Sequence, residues 1–123
     1  MKVLIVHRQQ EFLQRIKEKF ISGGWFVHVS DNGLDGLLTA RHYSFDLILC
    51  GFELPVVSGT ELVRTCRTLS QNTKTPVFFI KSKSETTSLL ELVSQLEANV
   101  MDEEAFDDSY RIGWLDSEYN SLN

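Results

Sequence analysis

Four short apolar runs punctuate the chain: residues 3–6 (VLIV), 25–29 (WFVHV), 47–50 (LILC) and 77–80 (VFFI). The first, third and fourth are continuous and do not alternate with polar residues, the pattern of parallel strands buried on both faces. Between the runs the apolar period lengthens to three or four. Phe12, Ile16 and Phe20, with Leu13 alongside, form one stripe. Leu34, Leu37 and Leu38 form a second, and Leu62, Val63, Cys66 and Leu69 a third. Leu89, Leu92, Val93 and Leu96 form a fourth. Each has the spacing of a helix with one face on a core. Gly23 and Gly24 mark the end of the first helix. Ser58 stands three residues before Glu61, a capping-box spacing, and Ser84 precedes Glu85 as a second candidate cap. Strand and helix alternate, so a doubly wound α/β sheet is predicted. Right-handed crossovers then place helices on both faces.

At 123 residues the chain fits one domain with a core of useful size. Its 42% apolar and 24% charged residues are an ordinary globular balance. Cys50 and Cys66 sit in apolar segments and read as reduced thiols, not a disulfide framework. No run approaches the roughly 18 residues of a membrane helix, and MKVLIV lacks the length of a signal peptide. A cytoplasmic protein is expected.

Charge divides the chain unevenly. Residues 1–97 hold 11 Lys+Arg against 10 Asp+Glu, while 98–123 hold one arginine against seven acids. The negative charge is therefore C-terminal, which argues against direct nucleic-acid binding through that end. Phe106, Tyr110, Trp114 and Leu122 share a helical face there, with Asp107 or Asp108 as caps. His7, His28 and His42 have no ligand spacing, so no zinc site is expected. Cys50 ends a predicted buried strand and reads as a packing residue.

The stretch FDLILCGFELP over residues 45–55, followed by VVSG, resembles the third-strand signature of receiver domains of two-component response regulators. MKVLIV is similar to that family's first strand, SGGWFVHVSDNGLDGLLTA to its second strand and flanks, and TPVFFIKSKSE to its fourth strand and exit. ANVMDEEAF aligns with the fifth strand and the loop after it. The resemblance implies a flavodoxin-like five-stranded parallel sheet of order 2-1-3-4-5. It implies a single receiver-like domain over 1–123, with the fifth strand and fifth helix in about 98–123. Asp46 begins a strand in the family and has a local structural role.

The same alignment implies that the family's phosphorylation site is absent. The acidic pair that holds a divalent metal is His7 and Arg8 here. A hard cation needs oxygen ligands, and an arginine repels it. The aspartate that accepts a phosphoryl group is replaced by Gly51, and glycine has no nucleophile. The switch hydroxyl position is Lys81, the lysine position is Glu104, the proline position is Ala105 and the switch aromatic position is Met101. Three outcomes are open for this pocket: drift after loss of function, an ion-pair network of Arg8, Lys81 and Glu104, or a small-anion site using Arg8, Lys81 and backbone amides near Gly51. Glu53 and Glu104 are the nearest counter-charges. The Glu104–Ala105 bond is expected to be trans, since a non-proline cis bond costs about 2.5–4 kcal/mol.

A degenerate receiver implies no enzyme activity, cofactor or metal. The expected role is a non-phosphorylatable protein–protein interaction module in signal transduction or transcriptional regulation. The expected partner is another signalling or regulatory protein, or a second copy of the chain, on the fourth helix–fifth strand–fifth helix face. That face carries Glu91, Gln95, Met101, Glu103, Tyr110 and Trp114. Tyr, Trp and Met are enriched at interfaces. The alternative role is a sensor that binds a small anionic ligand in the remodelled pocket. Titration with candidate anions separates the two.

Overall fold

A computed structural model describes residues 1–82 and 90–106. The Ser84 cap, Leu89, Tyr110, Trp114 and the expected fifth helix lie outside the described residues. In chain order the elements are β1 (Lys2–Val6), α1 (Gln10–Ser22), β2 (Phe26–Ser30), α2 (Gly33–His42), β3 (Leu47–Gly51), α3 (Gly59–Leu69), β4 (Val77–Lys81), α4 (Leu90–Gln95) and β5 (Asn99–Asp102). A 3-10 turn, Glu103–Phe106, follows. The strands form one parallel sheet in the order β2-β1-β3-β4-β5. This is the expected flavodoxin-like topology.

The continuous apolar runs became the three central strands, and Val3 to Val6, Leu47 to Cys50 and Val77 to Ile80 are buried. Alternation sorts their side chains into two cores. On one face Val3, Ile5, Leu47, Leu49, Phe78 and Ile80 pack with Phe12, Leu13, Ile16 and Phe20 of α1 and with Phe106. On the other, Leu4, Val6, Ile48, Cys50, Val77 and Phe79 pack with Ala40, Leu62, Val63, Cys66, Val93 and Leu96. Helices thus cover both faces.

The Gly23–Gly24 and Ser58 caps act locally as the sequence predicts, and Asn32 adds one it did not. Gly23 N–H donates to the Lys19 and Phe20 carbonyls, and Gly24 takes φ +87°, where a side chain would be strained. Ser58 Oγ accepts from Glu61 N–H at 3.2 Å. Asn32 Oδ1 caps α2 by accepting from Asp35 N–H at 2.8 Å. Asp46 Oδ2 accepts from Lys2 N–H at 2.7 Å and ties the start of β3 to β1.

The second leucine stripe is the main departure. Leu34 and Leu38 remain 43% and 44% exposed, and the buried face of α2 is Gly33, Gly36 and Ala40, with Leu37 packed beside it. A Cβ on Gly36 would meet Val6 Cγ2 at 2.8 Å and Leu62 Cδ1 at 2.9 Å. The helix approaches the sheet on its small residues, and that close approach leaves no room for leucines beneath. Leu69 also lies exposed, at the last residue of α3.

Opposite the site, two polar side chains hold the N-terminal ends of the strands. Asn72 is fully buried. Its Oδ1 accepts from Phe45 N–H (2.7 Å) and Thr75 Oγ1 (3.1 Å), and its Nδ2 donates to the Ala40 and Tyr43 carbonyls at 2.7 and 2.9 Å. The Arg67 guanidinium donates to the carbonyls of Leu96 (2.9 Å), Glu97 (2.9 Å) and Thr75 (2.6 Å). It thereby joins α3 to the end of α4 and to the start of β4.

Candidate functional site

At the C-terminal ends of the strands, Val6 pairs with Cys50 and Gly51 with Ile80. Residues adjacent across a sheet share a face, so His7 and Gly51 come together on the α1 side. Between them lies a cavity of about 20 Å³, bordered also by Arg8, Glu53, Ser82 and Glu103. That volume holds a water or two and no organic metabolite.

His7 is built into the structure. It is 7% exposed. Its N–H donates to the Ser30 carbonyl at 3.1 Å, and its Nδ1 accepts from Gln9 N–H at 3.1 Å. With Nδ1 accepting, the proton of the neutral ring resides on Nε2. The ring lies 4.3 Å from that of Phe12. Burial, with the neighbouring Arg8 charge, pushes the imidazole down to about 4. His7 is therefore neutral at pH 7.

Arg8 is exposed and pairs with Glu53 at 3.5 Å. An exposed pair of this kind contributes at most about 1 kcal/mol. Gly51 is buried, yet its backbone does not demand glycine. A Cβ there would lie 3.4 Å from His7 Cδ2 and 3.5 Å from Leu54 Cδ2, and its φ is not in the left-handed region. Gly59 is different, since a Cβ on it would stand 1.9 Å from the Gly51 carbonyl oxygen. That close approach lets Gly59 N–H donate to the Phe52 carbonyl at 2.9 Å and pins the loop after β3. Cys50, beneath the site, is fully buried, and burial pushes its thiol far above the ordinary range. It is inert packing.

A divalent metal does not fit this donor set. The carboxylates are Glu53, engaged by Arg8, and Glu103, while His7 already accepts a backbone hydrogen bond. Among the described residues no cluster of three His, Cys, Asp or Glu side chains could hold a metal ion. Among the described residues that line the pocket, two acids stand beside one arginine.

Of the five substituted positions, the structure brings His7, Arg8 and Gly51 to one cavity. It does not bring Lys81 or Glu104 to the cavity wall, which takes Ser82 and Glu103 instead. The reason is alternation. Phe79 faces the core under α3 and α4, Ile80 the core under α1, and Lys81 follows Phe79. Lys81 is instead opposite Asp102 in the β4–β5 register. Glu104 stands exposed in the 3-10 turn, whose Phe106 is anchored edge-on against Phe12. Arg8 pairs with Glu53, and no ion pair joins Lys81 to Glu104 among the described residues. The Glu104–Ala105 bond is trans. The two-residue period, applied to FFIKS, was the signal that could have found Ser82.

On the expected partner face, Glu91 and Gln95 are exposed one turn apart on α4. Met101 is half-buried against the α1-side core. Glu103 borders the cavity, and Tyr110 and Trp114 lie outside the described residues. Among the described residues no helix is long and apolar enough to cross a membrane.

No family model matches the chain. It is 33% identical over 85 residues to a probable transcriptional regulator, ycf29, of Pyropia yezoensis, covering 69% of this chain and 38% of that protein. It is 34% identical over 85 residues to the response regulator ArlR of Staphylococcus saprophyticus, covering 69% and 37%. The chain thus spans less than half the length of these curated relatives. A CheY-like response regulator receiver domain from Methanospirillum hungatei superposes with a TM-score of 0.81 at 16% identity, over 98% of this chain and 94% of that one. The relatives and the CheY-like neighbours together support a receiver domain of the response-regulator kind.

Proposed function

We propose that residues 1–123 are a single receiver domain that takes no phosphoryl group and serves in the cytoplasm as a protein–protein interaction module of signalling or transcriptional regulation. One observation carries this. The cavity at the end of β3 holds Gly51 where an acceptor is needed, beside a neutral His7 and an Arg8 engaged by Glu53. An acyl phosphate needs a carboxylate nucleophile, and phosphoryl transfer needs cationic clamping of the developing charge. Neither is supplied by this set. Gly51 itself is not a backbone requirement, so its presence reflects release from the chemistry and not from the fold.

What remains usable is surface. Receiver domains of response regulators interact with other signalling and regulatory proteins. Here the α4–β5 side offers Glu91 and Gln95, both exposed, while Met101 of β5 packs on the opposite, α1-side face. Partner choice through that side would no longer be gated by phosphorylation. The anion-sensor alternative finds less support, given a cavity of about 20 Å³ and two acids on its rim.

The test is exposure to acetyl phosphate or beryllofluoride at millimolar Mg²⁺. No phosphate mass gain and no chemical-shift change around Gly51 are expected. A phosphorylated species would overturn the proposal. Saturable binding of an inorganic anion against Arg8, without phosphorylation, would turn the reading to the sensor.

A further inference from the structure

Half of the large apolar side chains left exposed among the described residues lie on β2, on α2 or directly after α2. Phe26 is 70% exposed, and Val29, Leu34, Leu38 and Tyr43 are exposed too. Gly36 turns α2 towards Leu62 of α3. Leu34 and Leu38 therefore lie on the face of that helix turned away from this contact, and they are exposed. His28 of β2 lies 5.5 Å, ring to ring, from both Tyr43 and Phe45. Phe26 shares the face of His28, while Val29 lies with Val27 on the α1 face of the strand.

β2 is also a sheet edge, and its hydrogen-bonding groups divide cleanly. Phe26 N–H donates to the Met1 carbonyl, and the Ser30 carbonyl accepts from His7 N–H. By alternation Phe26, His28 and Ser30 turn their backbone groups to β1. Val27 and Val29 turn theirs outward. Edge strands are ordinarily guarded by lysine, proline, bulges or covering segments. FVHVS contains no charge, no proline and no glycine.

We propose that this edge pairs with the β2 edge of a second copy of the chain, antiparallel about His28, so that one sheet runs through both copies. The register is self-complementary. With His28 opposite the partner's His28, Val27 meets the partner's Val29 and Val29 meets the partner's Val27. Those are the residues whose N–H and C=O point outward, so each pair exchanges two hydrogen bonds. Charge favours the same arrangement. The strand places no like charges across the two-fold axis. The two copies of α2 run antiparallel on the same side of the joint sheet. The acidic first turn of one, with Asp35, is directed along the basic last turn of the other, with Arg41 and His42. This pairing lies at the edge opposite β5, leaves the α4–β5 side open, and does not depend on the lost phosphorylation chemistry.

Sedimentation equilibrium from about 1 μM to about 1 mM brackets a transient to firm dimer. The mass is expected to rise from 14.1 kDa towards twice that value. The Val27 and Val29 amides should exchange slowly only where the dimer forms. Val29→Pro removes an N–H that no strand among the described residues uses. It is expected to weaken association about tenfold or more, since two symmetry-related bonds vanish. Phe26→Lys, at an exposed side chain, should do the same and keeps the test open if the proline variant fails to fold. Gln95→Lys on α4 should change nothing. A monomer at every concentration overturns the proposal. So does a dimer that survives Phe26→Lys but dissociates with Gln95→Lys. Protection of Val27 and Val29 that appears only on adding a foreign extended peptide also overturns it.

Discussion

At the N-terminal ends of β3 and β4, Asn72 makes four side-chain hydrogen bonds in full burial and Arg67 spans the carbonyls of three segments. At the C-terminal ends, a void of about 20 Å³ is rimmed by one exposed ion pair at 3.5 Å. Among the described residues, the N-terminal end is held by buried side-chain hydrogen bonds and the C-terminal end carries an exposed ion pair. Buried polar groups stabilise only when every partner is present, and they are costly to break. Exposed pairs contribute little. Residues at the site end can therefore change with small effects on folding, and the opposite end cannot. On the proposed reading, the scaffold loses its chemistry and keeps its shape because the two reside at opposite ends of the strands.

The comparison is broken most directly at the satisfied end. Asn72→Ala strands the buried Phe45 N–H and the Ala40 and Tyr43 carbonyls. A loss of about 3 kcal/mol or more is expected in urea unfolding. A loss under about 1 kcal/mol would mean that the two ends are not energetically distinct.

His7 sharpens it, as a buried and hydrogen-bonded residue at the site end. Its folded pKa of about 4 lies below the ordinary 6.5. The unfolded chain thus binds more protons between those values, and stability rises with pH through the window. The contribution is complete above about pH 6.5 and falls away towards pH 4. Between pH 7 and pH 5 this amounts to at most about 2 kcal/mol. His7→Asn, which keeps an acceptor for Gln9 N–H, should flatten that slope. An unchanged slope would assign the pH dependence to other groups.

The smallest effect is expected at Glu53→Gln, which removes the Arg8 partner. A change of about 0.5 kcal/mol or less should be seen, shrinking further in high salt. A larger loss would mean that the Arg8–Glu53 pair braces the loop after β3.

Much of this was legible from residues alone. Continuous runs at VLIV, LILC and VFFI announced buried parallel strands, and Phe12, Leu13, Ile16 and Phe20 announced α1, because burial on two faces and on one stripe leaves different periods. The Ser58 cap was legible because capping is local chemistry. At the site, the resemblance to receiver domains identified His7, Arg8 and Gly51. It did not identify Ser82 or Glu103, whose places depend on which face of β4 looks at Gly51 and on where β5 gives way to the 3-10 turn.

The sequence by itself determined the order of strands and helices, the apolar content of the sheet and the absence of a carboxylate at position 51. These follow from composition and short-range periodicity, which need no knowledge of neighbours. The tertiary structure decided the rest. It turned α2 onto Gly33, Gly36 and Ala40 and left Leu34 and Leu38 outside, since only small residues let that helix approach Val6 and Leu62. It gave Arg8 to Glu53, 45 residues away in the chain. It buried His7 against Phe12 and so kept the imidazole neutral. Each of these depends on packing distance between segments remote in sequence, and that distance is fixed only when the sheet and its helices close together.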